Sequence, residues 1–201
     1  MIAIQPLLKA FDLPESLQGN LSLDGELWGN TLTVEAAKRR WQGRATISAS
    51  NLKLAQLNLQ QMVQRAVARV SDKVSSQEAV DEGIESISGQ VALNKGVLSF
   101  SDINGNGQNL GLQGAGKVDM VQQQLDLTLG LKISGWHGDE ALVKTLSSQP
   151  VPLRMYGDWN SLQYSLPVDA VLRDRLQSEA KSRLNQWIDR QKEGENKENL
   201  K

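Results

Sequence analysis

The chain has 201 residues, with 22 Lys and Arg set against 23 Asp and Glu, one His, no Cys, and five Trp, two Tyr and two Phe. The absence of Cys excludes disulfide scaffolds, thiolate nucleophiles and Cys-ligated zinc or iron–sulfur sites, and a single His excludes a multi-His metal centre. A net charge of -1 argues against nucleic acid as a partner, because phosphate contacts need a surplus of clustered Lys and Arg.

The length suits one domain. Met1–Leu8 is too short for a signal peptide; no basic segment precedes it and Lys9 follows it. No run of about 18 apolar residues exists to cross a membrane as a helix. Taken alone, these features predict a soluble, cytoplasmic chain.

In chain order, Ile4, Leu7, Leu8 and Phe11 have helical spacing. Leu17–Trp28 alternates around Asp24-Gly25, a pair that predicts a hairpin turn because Gly takes positive φ without strain. Thr33–Trp41 reads as a helix, with Thr33 as cap and Val34, Ala37 and Trp41 on one face. Ala45, Ile47 and Ala49, then Leu52 and Leu54 after a Ser50-Asn51 turn, read as strands. Asn58 caps a helix over 58–71 whose apolar stripe is Leu59, Met62, Val63, Ala66, Val67 and Val70. Residues 71–83 are polar and read as a loop with some helix.

From Ile84 the period switches to two. Val91 and Leu93 lead into Asn94-Lys95-Gly96, read as a three-residue turn, and Leu98 and Phe100 return from it. Leu110, Leu112, Val118 and Met120 share a parity with Gly114 and Gly116. Leu125, Leu127, Leu129, Leu131 and Ile133 alternate with Asp126, Thr128, Gly130 and Lys132, five matches to a strand in five positions. Trp136–Asp139 reads as a loop, with Asp139 capping a helix over 140–146. Leu153–Tyr156 and Leu162–Leu166 form a last hairpin, with Pro150 and Pro152 marking an edge or a strand start. A long amphipathic helix follows over 168–191, and 192–201 reads as a disordered polar tail.

The β-rich region therefore covers 17–166, in one domain spanning 1–191. The fold class is α+β and β-dominated: successive antiparallel hairpins, each with one apolar and one polar face, a short internal helix and a long C-terminal helix. Periodicity alone favours a closed β-sandwich over an open, curved sheet with an apolar concave face. In an open sheet the aliphatic rows would line a groove; in a closed sandwich the same residues would be a dry core. The candidate lining is Leu110, Leu112, Val118, Met120, Leu125 and Leu127, continued by Leu129, Leu131, Ile133, Leu153 and Met155. On the C-terminal helix, Leu172, Leu176, Leu184 and Trp187 are the candidate docking face. Its mixed charges make packing on the sheet a better reading than lying on a membrane. Lys38-Arg39-Arg40-Trp41 reads as a solvated helix face.

No chemistry stands out. His137 with Asp139 and Glu140 is one imidazole in a Gly-flanked turn. No Ser occupies a nucleophile elbow, and Gly114-Ala115-Gly116 lacks the strand–loop–helix context of a phosphate loop. No catalytic residue, metal or cofactor is expected.

Four stretches carry a resemblance. They are Lys38–Gly43 (KRRWQG), Leu57–Ala66 (LNLQQMVQRA), the Ile87–Ile133 block with SGQVALNKGVLSF and LQGAGKVDMVQQQLDLTL, and VPLRMYGDWNSLQYSLPVDAVLRDRLQSEAKSRLNQW from Val151. Together they resemble the C-terminal region of the AsmA family of Gram-negative bacteria, over about residues 32–190. The resemblance implies a longer protein, anchored in the inner membrane with a periplasmic body and acting in outer-membrane biogenesis, including outer-membrane protein assembly. It also implies kinship with TamB-like bridge-type proteins whose apolar β-groove carries phospholipid. It turns the expectation towards an open groove, with phospholipid as ligand, the membrane reached through an anchor absent from this chain, and possible envelope protein partners. The alternative is an end-cap with a filled core that docks a partner protein through its terminal helix.

Overall fold

The computed structural model describes residues 1–13, 15–30, 32–54, 57–76 and 83–198, without the side chains of 175, 176, 179 and 191–198. Its elements are β1 (Ile2–Ala3), α1 (Gln5–Ala10), β2 (Leu17–Trp28), α2 (Val34–Arg40), β3 (Gln42–Leu54), α3 (Leu59–Val70), β4 (Val74–Ser76), β5 (Ile84–Asn94) and β6 (Val97–Asn106). They continue with β7 (Leu110–Asp119), β8 (Gln124–Ile133), β9 (Trp136–Gly138), α4 (Glu140–Ser148), β10 (Val151–Asp158), β11 (Gln163–Ser165) and α5 (Val168–Glu198). Nine strands form one open, curved antiparallel sheet in the order β1-β2-β3-β5-β6-β7-β8-β10-β11, and β4 pairs with β9 in a separate ribbon. The β-dominated hairpin architecture expected from the sequence is the one observed, and the closed sandwich is not.

Register makes one face continuous. One transverse row reads Leu21, Ala49, Ile87, Gly105, Leu112, Leu131, Val151 from β2 to β10. A second reads Gly25, Ala45, Val91, Phe100, Gly116, Leu127, Met155, and a third Leu27, Gly43, Leu93, Leu98, Val118, Leu125, Gly157. Every member is aliphatic, aromatic or Gly. Seven strands at about 4.8 Å spacing carry these rows across about 29 Å.

Two breaks in the alternation are absorbed by the backbone. Ala49 and Leu52 are three residues apart, as are Phe100 and Ile103, yet Ala49, Leu52 and Ile103 are all buried. Between them lie Asn51 (φ 53) and Asp102 (φ 51). Asn and Asp tolerate the left-handed region better than other residues with a Cβ. Each takes up one residue and returns the strand to its apolar side.

Helices cover one part of this face. Leu59, Val63 and Val67 of α3, Leu142 and Leu146 of α4, and Val168 and Leu172 of α5 join Leu110, Leu112, Leu129, Leu131, Ile133, Val151 and Leu153 in one buried cluster. Caps define the helix starts as the sequence suggested. Asn58 Oδ1 accepts the Gln61 N–H at 2.9 Å, Asp139 Oδ1 that of Leu142 at 3.1 Å, and Thr33 Oγ1 that of Ala36 at 3.3 Å.

Several local expectations are corrected. Asp24-Gly25 is not a turn: β2 pairs with β3 without a break from Asn20 to Trp28. A Cβ on Gly25 would stand 2.1 Å from the Arg44 carbonyl oxygen, so Gly serves close approach there. Ser50-Asn51 is a kink inside β3 and not a turn between strands. The β5–β6 loop has two residues, because Asn94 pairs with Val97, and Lys95 (φ 50) and Gly96 (φ 86) both take positive φ as the tight primed hairpin turn requires. Within 71–83, Val74–Ser76 is a strand pairing with Trp136–Gly138, so the latter is not a loop; 77–82 lie outside the described residues. The last helix passes Gln191 and runs to Glu198, since Glu, Lys and Gln are good helix formers even without packing. The expected tail is thus helical through 198, and 199–201 lie outside the described residues.

Gly114 and Gly116 sit opposite Leu129 and Leu127 in the register. A Cβ on Gly114 would stand 2.4 Å from the Thr128 carbonyl oxygen, whereas one on Gly111 would meet nothing nearer than 3.8 Å. Gly114→Ala should therefore destabilise by about 1–3 kcal/mol. Gly111→Ala should be neutral or stabilise by about 0.5 kcal/mol. Urea midpoints of the two variants at unchanged slope check the opposite signs.

Candidate apolar groove

The apolar face is filled at one end and half-open at the other. Along β8, Leu125 and Leu127 are half-buried, Leu129 is 9% exposed and Leu131 is 0% exposed. Leu110, Leu112, Met120, Ile133, Leu153 and Met155 are buried as well, and Val118 is half-buried. Of the eleven candidate lining residues, then, Val118, Leu125 and Leu127 retain partial access and the others are enclosed. Pairing brings ten of them together on one face of β7, β8 and β10. Met120 lies just past the end of β7, its N–H bonded to the Gly96 carbonyl at 2.9 Å.

The accessible part of the face lies mainly on strands that the candidate lining omits. Ile47, Val91, Leu93, Leu98 and Phe100 are half-buried, and Leu23 and Leu27 are 52% and 57% exposed. Alternation in these strands was visible in the sequence. That Leu27, Leu93 and Leu98 share a row with Val118 and Leu125, and Val91 and Phe100 one with Leu127, was not, because it depends on the register from β2 to β8.

Of the candidate docking residues on α5, Leu172 is buried in the core, Leu184 and Trp187 are exposed, and the side chain of Leu176 lies outside the described residues. The helix is anchored through Val168 and Leu172, and its later described side chains are exposed apart from half-buried Ile188.

Charge is kept to the other face, with one departure. Arg154 on β10 donates from Nε and Nη2 to Asp126 on β8 at 3.0 and 2.7 Å, and its guanidinium lies 4.6 Å from the Tyr156 ring centroid. The departure is Lys38. It is the one charged residue buried among the described ones, at 8% exposure, and its Nζ lies 2.8 Å from Asp12 Oδ2. The expected solvated basic face is thus incorrect at Lys38, and Val34, expected on the packed side, is exposed. Helix α2 is too short for its sparse apolar residues to orient it; the β5–β6 turn does so, with Lys95 N–H bonded to the Trp41 carbonyl at 3.3 Å.

His137 is exposed in the β4–β9 ribbon opposite Ser75. Among the described residues no three His, Asp or Glu side chains converge to hold a metal, and no helix is long and apolar enough to cross a membrane.

Fold and site together define an open antiparallel-sheet protein with one apolar face that helices cap along part of its length. The chain is 36% identical over 203 aligned positions to Protein AsmA of Escherichia coli K12, a match taking in 100% of this chain and 33% of that protein. This likeness supports an AsmA-family assignment. It spans about a third of the length of this relative. No family model and no solved structure matches the chain.

The two ends of the face should respond differently to truncation. Leu131→Ala should cost about 2–5 kcal/mol, as for a fully enclosed leucine. Leu98→Ala should cost roughly 1 kcal/mol, since its surface is only partly removed from water. Chemical denaturation of both variants measures the gap. On the opposite face, the Arg154 hydrogen bonds, with its charge adding, hold the Asp126 carboxyl below its ordinary value. That stabilisation is present above the unfolded aspartate value of about 3.9 and is lost as pH falls through the lower folded value. A carboxyl NMR titration should show Asp126 ionising below the usual aspartate range, and ionising at higher pH in Arg154→Gln.

Proposed function

We propose that this chain is a non-enzymatic segment of an envelope protein that acts in outer-membrane biogenesis by shielding phospholipid acyl chains on its apolar face. The body would lie on the periplasmic side of the inner membrane, held there by an anchor outside this chain. The observation that carries the reading is the row from Leu27 to Leu125, an uninterrupted apolar track whose members from Leu93 to Leu125 are half-buried and whose Leu27 is exposed. Fifteen methylenes removed from water are worth about 12 kcal/mol gross, at ~0.8 kcal/mol each. A half-open aliphatic floor realises part of that without directional contacts, so a chain can be held and still slide. A charge placed in the track would interrupt it, because an unpaired buried charge is costly.

A second reading has its own support. The enclosure of Leu112, Leu129 and Leu131 suits a filled end-cap, and exposed Leu184 and Trp187 suit docking of a partner protein through α5. The two readings divide the molecule between them: the capped end closes the face and the remainder holds lipid.

A photo-crosslinking amino acid at Phe100, in the protein expressed in a Gram-negative envelope, should capture phospholipid, while one at Thr128 on the opposite face should not. Equal capture at both positions, or none at Phe100 in folded protein, would leave only the end-cap.

A further inference from the structure

Lys38 is placed where packing alone would favour an apolar residue. Its side chain is 10% exposed, while that of Asp12, to which it is bonded, is 74% exposed. The cation is inside and its counter-ion is outside, held by one 2.8 Å contact. Ordering a long lysine side chain for such a pair gives little net stability, and a methionine would fill the same space without a charge to desolvate.

Its position relates it to the groove. Helix α2 joins β2 to β3 beyond Trp28 and Gln42, the end of the sheet at which the row from Leu27 to Leu125 lies. The Lys38 carbonyl packs on Gly96 of the β5–β6 turn, where a Cβ would come within 2.3 Å of it. One pair, Asn94–Val97, separates that turn from the Leu93–Leu98 pair of the row. From there the side chain reaches Asp12, which follows α1, and α1 is packed on the apolar face through Ile4 and Leu8. The ammonium therefore stands on the apolar side of the sheet, at the margin of the half-open rows, on a buried aliphatic stem.

We propose that Lys38 is the headgroup anchor of the groove: its ammonium binds the phosphate of a phospholipid whose acyl chains lie on the rows, and Asp12 occupies it in the lipid-free protein. The proposal rests on the acyl-shielding reading above. Asp12 is suited to exchange, since its exposed carboxylate can turn into water when phosphate replaces it. A phosphodiester offers charge-assisted acceptors to the same ammonium. The two residues thus have opposite roles, one as ligand and the other as competitor, whereas in a simple structural strap both would contribute alike.

Fluorescence titration of the purified chain with NBD-labelled phosphatidylglycerol, and with NBD-labelled diacylglycerol of the same chains, tests this. The wild type should bind phosphatidylglycerol more tightly. Lys38→Met should lower that affinity about tenfold, as loss of a charge-assisted hydrogen bond implies, and leave diacylglycerol binding unchanged. Lys38→Arg should retain the preference, and Asp12→Asn should strengthen phosphatidylglycerol binding. Inorganic phosphate should fail to displace the lipid at matched ionic strength. Equal binding of both probes by the wild type, or equal weakening of both by Asp12→Asn and Lys38→Met, overturns the anchor and leaves acyl shielding intact. Displacement by inorganic phosphate as effective as by unlabelled lipid overturns the anchor in favour of a plain anion site. Failure of the wild type to bind either probe overturns the acyl-shielding reading itself, and the anchor with it.

Discussion

Everything in this molecule depends on strand register. Side chains alternate across a sheet with period two, so a slip of one residue between any pair would turn a whole strand's apolar set into water. Here register is held across seven strands, from β2 to β10, and each transverse row stays apolar throughout. The devices that hold it are local. Lys95-Gly96 makes a two-residue turn that presets the β5–β6 pairing. Asn51 and Asp102 absorb single residues that would otherwise invert the strand beyond them. Gly114 and Gly116 let the Leu129 and Leu127 side chains lie close over β7.

The second determinant is where the helices sit. A sheet with an apolar face has to cover it with something, and α3, α4 and the first turns of α5 cover only one end. They convert that end into an ordinary core around Leu131, Leu142, Leu153 and Leu172. Among the described residues the other end is less covered, and its leucines and valines are half-buried or, at Leu23 and Leu27, exposed. On the reading proposed above, one continuous surface has two physical roles, a core that stabilises the fold and a floor for an apolar ligand. The two roles use the same residue types, so composition does not separate them.

Much of this was legible in the residues. The Leu125–Ile133 strand, the Asn58 and Asp139 caps and the final hairpin follow from period and cap chemistry that act within a few residues. Where two local signals competed, tertiary pairing decided. Asp24-Gly25 has the chemistry of a turn, but β3 offers an unbroken partner and the strand runs straight through. Lys38 lies in a basic run that reads as solvated, but the contact of α2 with the β5–β6 turn directs one of its three cations inward. Trp136–Gly138 lacks the length to read as a strand, and pairs only because Val74–Ser76 arrives beside it.

The sequence by itself determined the period of each segment, the caps, the aliphatic character of one sheet face and the family resemblance, because these reside in residues close together along the chain. The tertiary structure alone decided that the sheet stays open, which leucines are enclosed and which keep access, and that a single lysine reaches the apolar side. Those outcomes depend on register and helix placement, which bring together residues far apart in sequence, and no short-range pattern encodes which end of an apolar face its helices will cover.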